Sequence, residues 1–244
     1  MTSLPNLISV IIPVYNGAAF LADAFETVLR QACAPLEIIV VDDGSTDETA
    51  SILRGYGDRL TSVYQSNQGP PAARNHGLAL AQGEFIAFLD ADDLWHEDKL
   101  AVQLERLMAD GALQVVLGHT QFVQQAKVPI HGVTYIGKPC PQLFLGSALF
   151  RRAAFEKVDI FDITFRYCDD WDWFLRAQYL HLRMEMYPEV VLYYRRHQHK
   201  LTRSPQSRQE LLRLLRRSLH RQREEKHSPL PEWFNSVQRR LAHD

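Results

Sequence analysis

The 244-residue chain has little of what marks several large classes of protein. Its three cysteines, Cys33, Cys140 and Cys168, are odd in number and widely spaced. This excludes a disulfide framework and favours ordinary packing residues in a reducing compartment. The longest apolar run, around Ile8–Val14, is far shorter than the ~18 residues that cross a bilayer, and the first residues lack the pattern of a secretion signal. We therefore expect a cytoplasmic protein, peripheral at the inner face of the membrane at most.

A strong net charge is also absent, since the balance over the whole chain is −2, and this gives no reason to expect nucleic acid as a partner. The charges are nevertheless unevenly distributed. Residues 1–100 carry 14 acidic and 5 basic side chains, whereas residues 195–244 carry 13 basic and 5 acidic ones. This distribution indicates a first half that collects metal ions and an end that prefers anions.

Short apolar runs alternate with helical patterns over the first hundred residues. The β-branched run Ile8–Val14 is typical of a strand buried on both faces, and Ser45 followed by Glu48 has the pattern of a capping box. The alternation predicts an α/β fold with a mostly parallel central sheet and helices on both faces. In such sheets, ligands lie outside the carboxyl ends of the strands. Further strands are expected at Glu37–Val41, Ser62–Gln65 and Phe85–Leu89, and helices at Ala18–Gln31, 45–53, Ala72–Ala81 and Glu97–Ala109.

The rest of the chain is less regular. Strand-like pieces at Val115–Leu117 and Gln121–Val123 are followed by a stretch that proline and glycine residues interrupt. Arg208–Lys226 predicts a basic amphipathic helix. Three roles are open for this helix: packing on the rest of the chain, a homodimer contact, or contact with an anionic membrane through residues 208–227. The leucines expected on one side of this helix are Leu211, Leu212, Leu215 and Leu219.

Acidic residues end two of the predicted strands. Asp42 and Asp43 follow one, and Asp90, Asp92 and Asp93 follow another. Carboxylates at one sheet edge repel each other unless a cation or hydrogen-bond donors compensate them. Hard oxygen ligands suit Mg²⁺ or Mn²⁺, and such a metal lowers the cost of the negative charge that develops on a departing diphosphate. The alternative is that single aspartates cap the turns.

Seven segments carry a more specific pattern. Four lie in the first hundred residues, and three follow in the second half. The segments are Ile8–Gly17, Glu37–Thr49, Asn67–Gly77, Glu84–Leu100, Gly146–Ala154, Phe161–Arg176 and Tyr193–Ser204. The first four, in their order and spacing, and the three later ones resemble glycosyltransferase family 2, over about residues 8–200.

The resemblance implies a GT-A fold and an inverting transfer from a nucleoside-diphosphate sugar. Uridine is the first expectation for the base, with thymidine and guanosine open. The implied catalytic domain covers residues 1–204, divided into a nucleotide-sugar-binding half (1–112) and an acceptor-side half (113–204). Residues 205–244 form a basic helical extension.

The resemblance also assigns residues to the nucleotide. By position, Pro13 and Tyr15 line the base, and Asp43 hydrogen-bonds it. Arg74 faces the base or the diphosphate. The residues alone leave two alternatives open, namely Tyr15 as a packing residue and Arg74 as the ion-pair partner of an acid on a helix surface.

The metal site is implied at the acidic turn. Asp92 binds the metal directly, and Asp90 lies near both the ribose and the metal. Asp93 is expected to start a helix or support the ligands rather than bind. His197, in a Tyr-Arg-x-His segment, completes the metal shell or is an ordinary hydrogen-bonded residue. The expected cofactor is Mg²⁺ or Mn²⁺.

An acidic pair before an aromatic residue marks the acceptor side. Asp169 stands where the family usually has Glu, and Asp170 corresponds to the catalytic base. A carboxylate within reach can take the proton of an acceptor hydroxyl, and adjacent acids raise each other's pKa. The alternative is that one acid caps the helix. Trp171 offers a platform for a sugar ring, and Arg195 and Arg196 are expected to contact the diphosphate.

We therefore predict a metal-dependent inverting glycosyltransferase, hexosyl or N-acetylhexosaminyl in type, that acts on a hydroxyl of a glycan or lipid-linked acceptor. Polysaccharide biosynthesis is the expected setting. The alternatives are a catalytically silent nucleotide-sugar-binding protein and a nucleotidyltransferase, which normally has a Gly-rich, Lys-containing loop that is absent after Tyr15. An aspartyl-phosphate phosphatase would need Thr or Val where Leu94 stands.

Overall fold

The computed structural model describes residues 4–31, 33–124, 134–197 and 205–224. Within these ranges nine strands form one sheet, and seven α-helices surround it. The expectations for residues 1–3, 198–204 and 225–244 lie outside the described residues. The strands are β1 Leu4–Val14, β2 Leu36–Asp42, β3 Thr61–Tyr64, β4 Gly83–Phe88, β5 Leu94–Trp95, β6 Val115–Gln124, β7 Thr134–Pro141, β8 Ala148–Arg151 and β9 Met184–Arg195. The helices are α1 Leu21–Leu29, α2 Thr49–Tyr56, α3 Pro70–Leu80, α4 Lys99–Ala109, α5 Arg152–Val158, α6 Asp169–Tyr179 and α7 Pro205–Glu224.

The first half of the sheet is parallel, in the order β3-β2-β1-β4. β1 lies between β2 and β4, with Val14 opposite Asp42 and Ile11 opposite Phe88. Its apolar side chains are buried on both faces, as the continuous β-branched run predicts. The carboxyl ends of β1, β2 and β4 consequently meet at one edge, where the acidic residues were expected.

The second half of the sheet adds antiparallel pairs. β8 and β7 lie one after the other along one side of β6, and β9 lies parallel along the other side. The two strand-like pieces expected near 115 and 121 are therefore one strand. β7 forms despite Pro139 and Pro141 because, among the described strands, it pairs with β6 alone, and an edge position tolerates residues without an N–H.

Helices cover both faces of the sheet, so the predicted α/β architecture with a mixed, mostly parallel sheet is confirmed. One face carries a core that includes Ile11, Phe88 and Trp173, and the helices α3, α5, α6 and α7 contribute to it. The opposite face carries a second core with Phe25 and Trp95, and α1, α2 and α4 contribute to that one.

The second helix begins later than the capping-box pattern predicts. α2 starts at Thr49, and Glu48 stands at its N-cap without a side-chain cap. Ser45 Oγ instead accepts the N–H of Asn16 at 2.9 Å, and the Asp47 carboxylate accepts the N–H groups of Ala18 and Thr49. These side chains join the loop after β1 to the loop after β2, which is why they are not available as a capping box.

The basic helix α7 packs against the sheet-and-helix body. Leu214 is buried in the core under α6, and Glu210 accepts the backbone N–H groups of Arg166 and Tyr167 at 3.0 and 2.8 Å. The expected apolar side was partly wrong, since Leu212 and Leu215 are exposed. Leu214 and Ser218 face inward because a helical turn of 3.6 residues groups them with Leu211. Among the described residues, no helix is both long and apolar enough to span a membrane.

Candidate active site

The residues assigned to the nucleotide surround the carboxyl ends of β1 and β2. Pro13 is buried within β1 opposite Val41, and Tyr15 follows the strand with 53% of its surface exposed. An exposed ring does not fit the alternative of a packing residue. Asn16, with φ at 50°, turns the chain directly after it, so that Tyr15 stands at the mouth of this edge.

Asp43 is buried and holds the loop that leads into α3. It accepts hydrogen bonds from Gln65 Nε2 at 2.8 Å and from the N–H groups of Gln68 and Gly69 at 2.9 and 2.8 Å. Gly69 has a φ of 93°, which favours glycine. Gln65 in turn contacts His76 Nδ1 at 2.8 Å. Sequence reasoning missed Gln65 and His76, and nothing in their spacing singles them out.

Neighbouring Asp42 has a different role. Its Oδ1 accepts the N–H of Ser45 at 2.8 Å, and its backbone oxygen accepts the N–H of Gln65 at 2.9 Å. Asp42 therefore caps the turn after β2, which is the alternative that the sequence left open for a single aspartate.

The acidic turn after β4 brings three carboxylates together. Oxygens of Asp90, Asp92 and Asp93 all lie within 4.8 Å of one another. The turn is closed by a hydrogen bond of 2.9 Å from the backbone N–H of Asp93 to the backbone oxygen of Asp90. Three hard oxygen donors at this separation fit a divalent cation such as Mg²⁺ or Mn²⁺. Asp93 is the most buried of the three, and its Oδ1 accepts the N–H of Arg195, which agrees with the supporting role expected for it.

His197 reaches the same turn from the end of β9. Its Nε2 lies 2.8 Å from Asp92 Oδ2, and its ring stacks on Phe20 at 4.6 Å between centroids. The two side chains are thus close enough to bind one cation together after giving up their mutual hydrogen bond. The stacking fixes the plane of the imidazole and with it the direction of Nε2.

The two arginines before His197 point to opposite sides of β9. Arg195 is buried, whereas Arg196 is exposed and lies over the ring of Phe122 at 4.6 Å. Successive side chains along an extended chain alternate in direction, so these two lie toward opposite faces of the sheet. Only Arg195 contacts the acidic turn.

Arg74 on α3 joins the acidic turn to the acceptor side. Its Nη2 donates to Asp90 Oδ1 at 2.7 Å and its Nη1 to Asp169 Oδ2 at 2.5 Å. Arg74 is buried, with 7% of the residue exposed. Burial alone would lower its pKa, but Asp169 and Asp90 outweigh burial and keep Arg74 charged. The ion pair with Asp169 is therefore internal, rather than the pair with a surface acid that the sequence offered as an alternative.

The two acids at the start of α6 differ in environment. Asp169 is buried against Arg74, whereas Asp170 is partly exposed and its Oδ1 accepts only the N–H of Trp171 among its described hydrogen bonds, at 2.8 Å. Loss of solvation and the charge of Asp169 raise the pKa of Asp170 well above its usual range, against the opposing effect of Arg74. Trp171 is partly buried, and Trp173 is a fully buried core residue whose Nε1 donates to the Asp159 oxygen. Of the two, only Trp171 has surface to offer to a sugar.

Residues from both halves of the chain therefore converge. Asp90 and Asp169 are 79 positions apart in the sequence, and one guanidinium binds both. A sheet whose parallel strands end in a carboxylate cluster, linked in this way to the acid pair of a later helix, defines an α/β protein of the GT-A class.

The chain belongs to glycosyl transferase family 2, whose model matches residues 9–135. It is 41% identical over 128 residues to the putative teichuronic acid biosynthesis glycosyltransferase TuaG of Bacillus subtilis. The aligned region covers 51% of this chain and 51% of TuaG. An uncharacterized glycosyltransferase of Rickettsia typhi is 32% identical over 187 residues, with coverage of 69% and 58%. The chain thus spans about half to three fifths of the length of these curated relatives.

Two solved structures share the fold. Staphylococcus aureus TarS 1-349 in complex with UDP-GlcNAc has a TM-score of 0.71 at 21% identity, over 88% of this chain and 66% of TarS 1-349. The mannosyltransferase PcManGT of Pyrobaculum calidifontis, in complex with GDP-Man and Mn²⁺, has a TM-score of 0.68 at 23% identity, over 94% and 67%. The predicted family and the GT-A fold are confirmed.

Proposed function

We propose that this protein is a metal-dependent, inverting glycosyltransferase that transfers a sugar from a nucleoside-diphosphate sugar to a hydroxyl group of a glycan or lipid-linked acceptor. The observation that carries the proposal is the pair of contacts of Arg74. They link the carboxylate cluster, which suits a metal and a diphosphate, to the acid pair, which suits an acceptor hydroxyl. A donor site and an acceptor site that share one charged side chain fit a transfer between two substrates.

The donor is proposed to lie over the carboxyl ends of β1, β2 and β4. Tyr15 is exposed there for contact with the base, and the loop that Asp43 holds forms the neighbouring wall. The structural neighbours are complexes with UDP-GlcNAc and with GDP-Man, which supports a nucleotide-sugar donor without choosing the base. We retain a UDP-sugar as the first donor to test.

A divalent cation would be held by Asp92 and Asp90, with His197 as a further ligand. When bound, it supplies positive charge that stabilises the departing nucleoside diphosphate. The complex of PcManGT contains Mn²⁺, which supports this choice of metal. Asp93 would remain outside the ligand set because its Oδ1 accepts the backbone N–H of Arg195.

Asp170 is the proposed base. The acceptor oxygen forms a bond to the anomeric carbon, the bond from that carbon to the diphosphate oxygen breaks with its electron pair on the nucleoside diphosphate, and the hydroxyl proton passes to Asp170. A raised pKa makes Asp170 a stronger proton acceptor than an ordinary aspartate, provided that it is ionised. Asp169 stays paired with Arg74, and Trp171 borders the acceptor.

The C-terminal helix offers support for a lipid-linked acceptor. Leu212 and Leu215 are exposed on α7, and Arg216 lies exposed next to Leu212 in the helical projection. Leucine beside arginine on one exposed face is typical of helices that lie on anionic membranes. The division of the chain into a catalytic domain to residue 204 and a helical extension is part of the same proposal.

The proposal is tested by incubating the purified protein with Mn²⁺ and a panel of donors, among them UDP-GlcNAc and GDP-Man, and measuring the released nucleoside diphosphate. Asp170→Asn should reduce kcat by about 10²- to 10⁴-fold, the usual contribution of a general base, while donor binding by calorimetry stays unchanged. The matched control is Glu156→Gln, which removes one carboxylate from the exposed surface of α5. Donor binding without turnover in the unaltered protein would favour the silent binding protein instead.

A further inference from the structure

Arg195 makes an unusual number of contacts for a residue expected to bind diphosphate. Its Nε donates to the backbone oxygen of Asp92 at 2.6 Å, and its own N–H donates to Asp93 Oδ1 at 3.1 Å. Both contacts are with the acidic turn. Neither involves a carboxylate oxygen of Asp92, which stays directed toward His197.

The rest of the guanidinium is held from the side of α1. Nη1 pairs with Asp23 Oδ2 at 2.8 Å, Nη2 donates to the Phe20 oxygen at 3.2 Å, and the guanidinium carbon lies 5.0 Å from the centre of the Phe20 ring. The side chain is 4% exposed. All three nitrogens therefore have protein acceptors, and little surface is left for a ligand.

The same ring of Phe20 carries the imidazole of His197. Arg195 and His197 thus lie against one aromatic side chain, two positions apart at the end of β9. Arg195 donates a hydrogen bond to the backbone oxygen of Asp92, and His197 contacts the Asp92 carboxylate. The orientation of the Asp92 side chain is fixed from both ends.

We infer that Arg195 is a positioning residue for the metal-binding turn and not a ligand of the diphosphate. It fixes the peptide of Asp92 and the side chain of Asp93, so that the oxygens of Asp90 and Asp92 are already gathered before a cation arrives. A site whose ligands are gathered in advance binds metal more tightly, because less ordering remains to be done on binding. The inference rests on the proposed function in assigning the cation to this turn.

Arg151 provides a matched control. Its Nε and Nη2 donate to the backbone oxygens of Leu113 and Leu107, its Nη1 contacts Glu84, and its guanidinium lies 5.3 Å from the Phe85 ring centre. It therefore makes the same kinds of contact as Arg195. It lies opposite Phe85 near the start of β4, at the sheet edge away from the acidic turn.

The experiment compares Arg195→Lys and Arg195→Met with Arg151→Lys and Arg151→Met in the full chain. Mn²⁺ binding in the presence of UDP is measured by calorimetry, without turnover. The Arg195 variants should weaken it by about 10- to 100-fold, as loss of an outer-shell partner does. Lysine keeps the charge but not the fork of donors, so it should restore only part of the affinity. Thermal unfolding is recorded for all four variants.

Amide hydrogen exchange of the peptide 89–97, without metal, gives a second readout. Exchange there should become faster in the Arg195 variants and stay unchanged in the Arg151 variants, even where both lower the unfolding temperature. Asp23→Asn, which weakens the ion pair but leaves the bond to the Asp92 oxygen, should have a much smaller effect on both measurements.

Equal losses of Mn²⁺ affinity in the Arg195 and Arg151 variants, or unchanged exchange of 89–97 in Arg195→Met, would overturn the inference while leaving the proposed function in place. Conversely, a protein that shows the Arg195 effects on Mn²⁺ binding but transfers no sugar would overturn the proposed function and support the inference. Absence of Mn²⁺ binding in the unaltered protein contradicts both.

Discussion

The carboxylates on the donor side and Asp170 on the acceptor side differ in how firmly the protein holds them. Asp43 accepts three hydrogen bonds, and the turn of Asp92 and Asp93 is fastened to the end of β9. Asp170 accepts only the N–H of the next residue among its described hydrogen bonds, and its pKa is raised. Hydrogen-bond donors stabilise the ionised form of a carboxylate, whereas a carboxylate with few of them takes up a proton more readily. One side is suited to hold charge and the other to move it.

On the donor side, the largest effect should come from removing a charge at the metal-binding turn. Asp92→Asn should lower kcat/KM by roughly 10³-fold, because a bound cation is worth several kcal/mol to the departing diphosphate. Mn²⁺ affinity, measured by calorimetry with UDP, should fall at the same time. Asp170→Asn should leave that affinity unchanged. If both variants weaken Mn²⁺ binding alike, the distinction between the two sides is wrong.

Arg74→Met breaks the link between the sides. It leaves buried Asp169 without its cation, so the free energy of unfolding should fall by about 3–5 kcal/mol in urea titrations. Adding Asp169→Asn should recover part of this loss, because the uncompensated charge is then gone. Arg54→Met, on the exposed surface of α2, serves as control and should cost far less. Additive losses in the double variant would contradict a direct pair.

The pH dependence of kcat sharpens the comparison further. Because Asp170 must be ionised to accept a proton, kcat should fall as the pH drops through its raised pKa. Arg74 lowers the pKa of Asp170, so Arg74→Met should move this acid limb to higher pH. The raised pKa also affects stability, because Asp170 keeps its proton to a higher pH in the folded protein than in the unfolded chain. The stabilisation that protonated Asp170 contributes is therefore present at low pH and lost as the pH rises through the raised pKa. An acid limb that stays in place in Arg74→Met would argue against Asp170 as the titrating group.

The smallest effect is expected in the loop before α3. Gln65→Ala removes one of three hydrogen bonds to Asp43, at a cost of about 1 kcal/mol in the free energy of unfolding. The donor KM should rise modestly while kcat stays near its original value, since the loop borders the donor and not the acceptor. Steady-state kinetics check this, and a fall in kcat alone would be the contrary result.

Much of the parallel half of the fold can be predicted from the sequence. β1, β2 and β4 are continuous apolar runs because both of their faces are buried, and a single-strand pattern is enough to find them. The antiparallel half was harder to assign, because β7 tolerates prolines through its edge position, which depends on its neighbours. The prediction of a capping box was wrong for a similar reason. Ser45 accepts a hydrogen bond from Asn16, which lies in the loop after β1 and is distant in the sequence.

The candidate site divides in the same way. The clustering of Asp90, Asp92 and Asp93 follows from their position after one strand, and the prediction needs only local pattern. The partners of Arg74 and Arg195 are far away in the sequence, at separations of 95 residues for Arg74 and Asp169 and 103 for Arg195 and Asp92. Arginine is used for ligands and for internal ion pairs alike, so residue type alone does not choose between them.

The contact of α7 with the loop before α6 has a practical consequence for truncation. Glu210 is the acceptor for two backbone N–H groups in the segment that leads directly to Asp169 and Asp170. A shortened protein that stops at residue 204 would keep every residue proposed to touch the substrates, yet expose those N–H groups and the apolar surface under Leu214. An expression boundary at residue 204 would therefore loosen the acid pair from a distance.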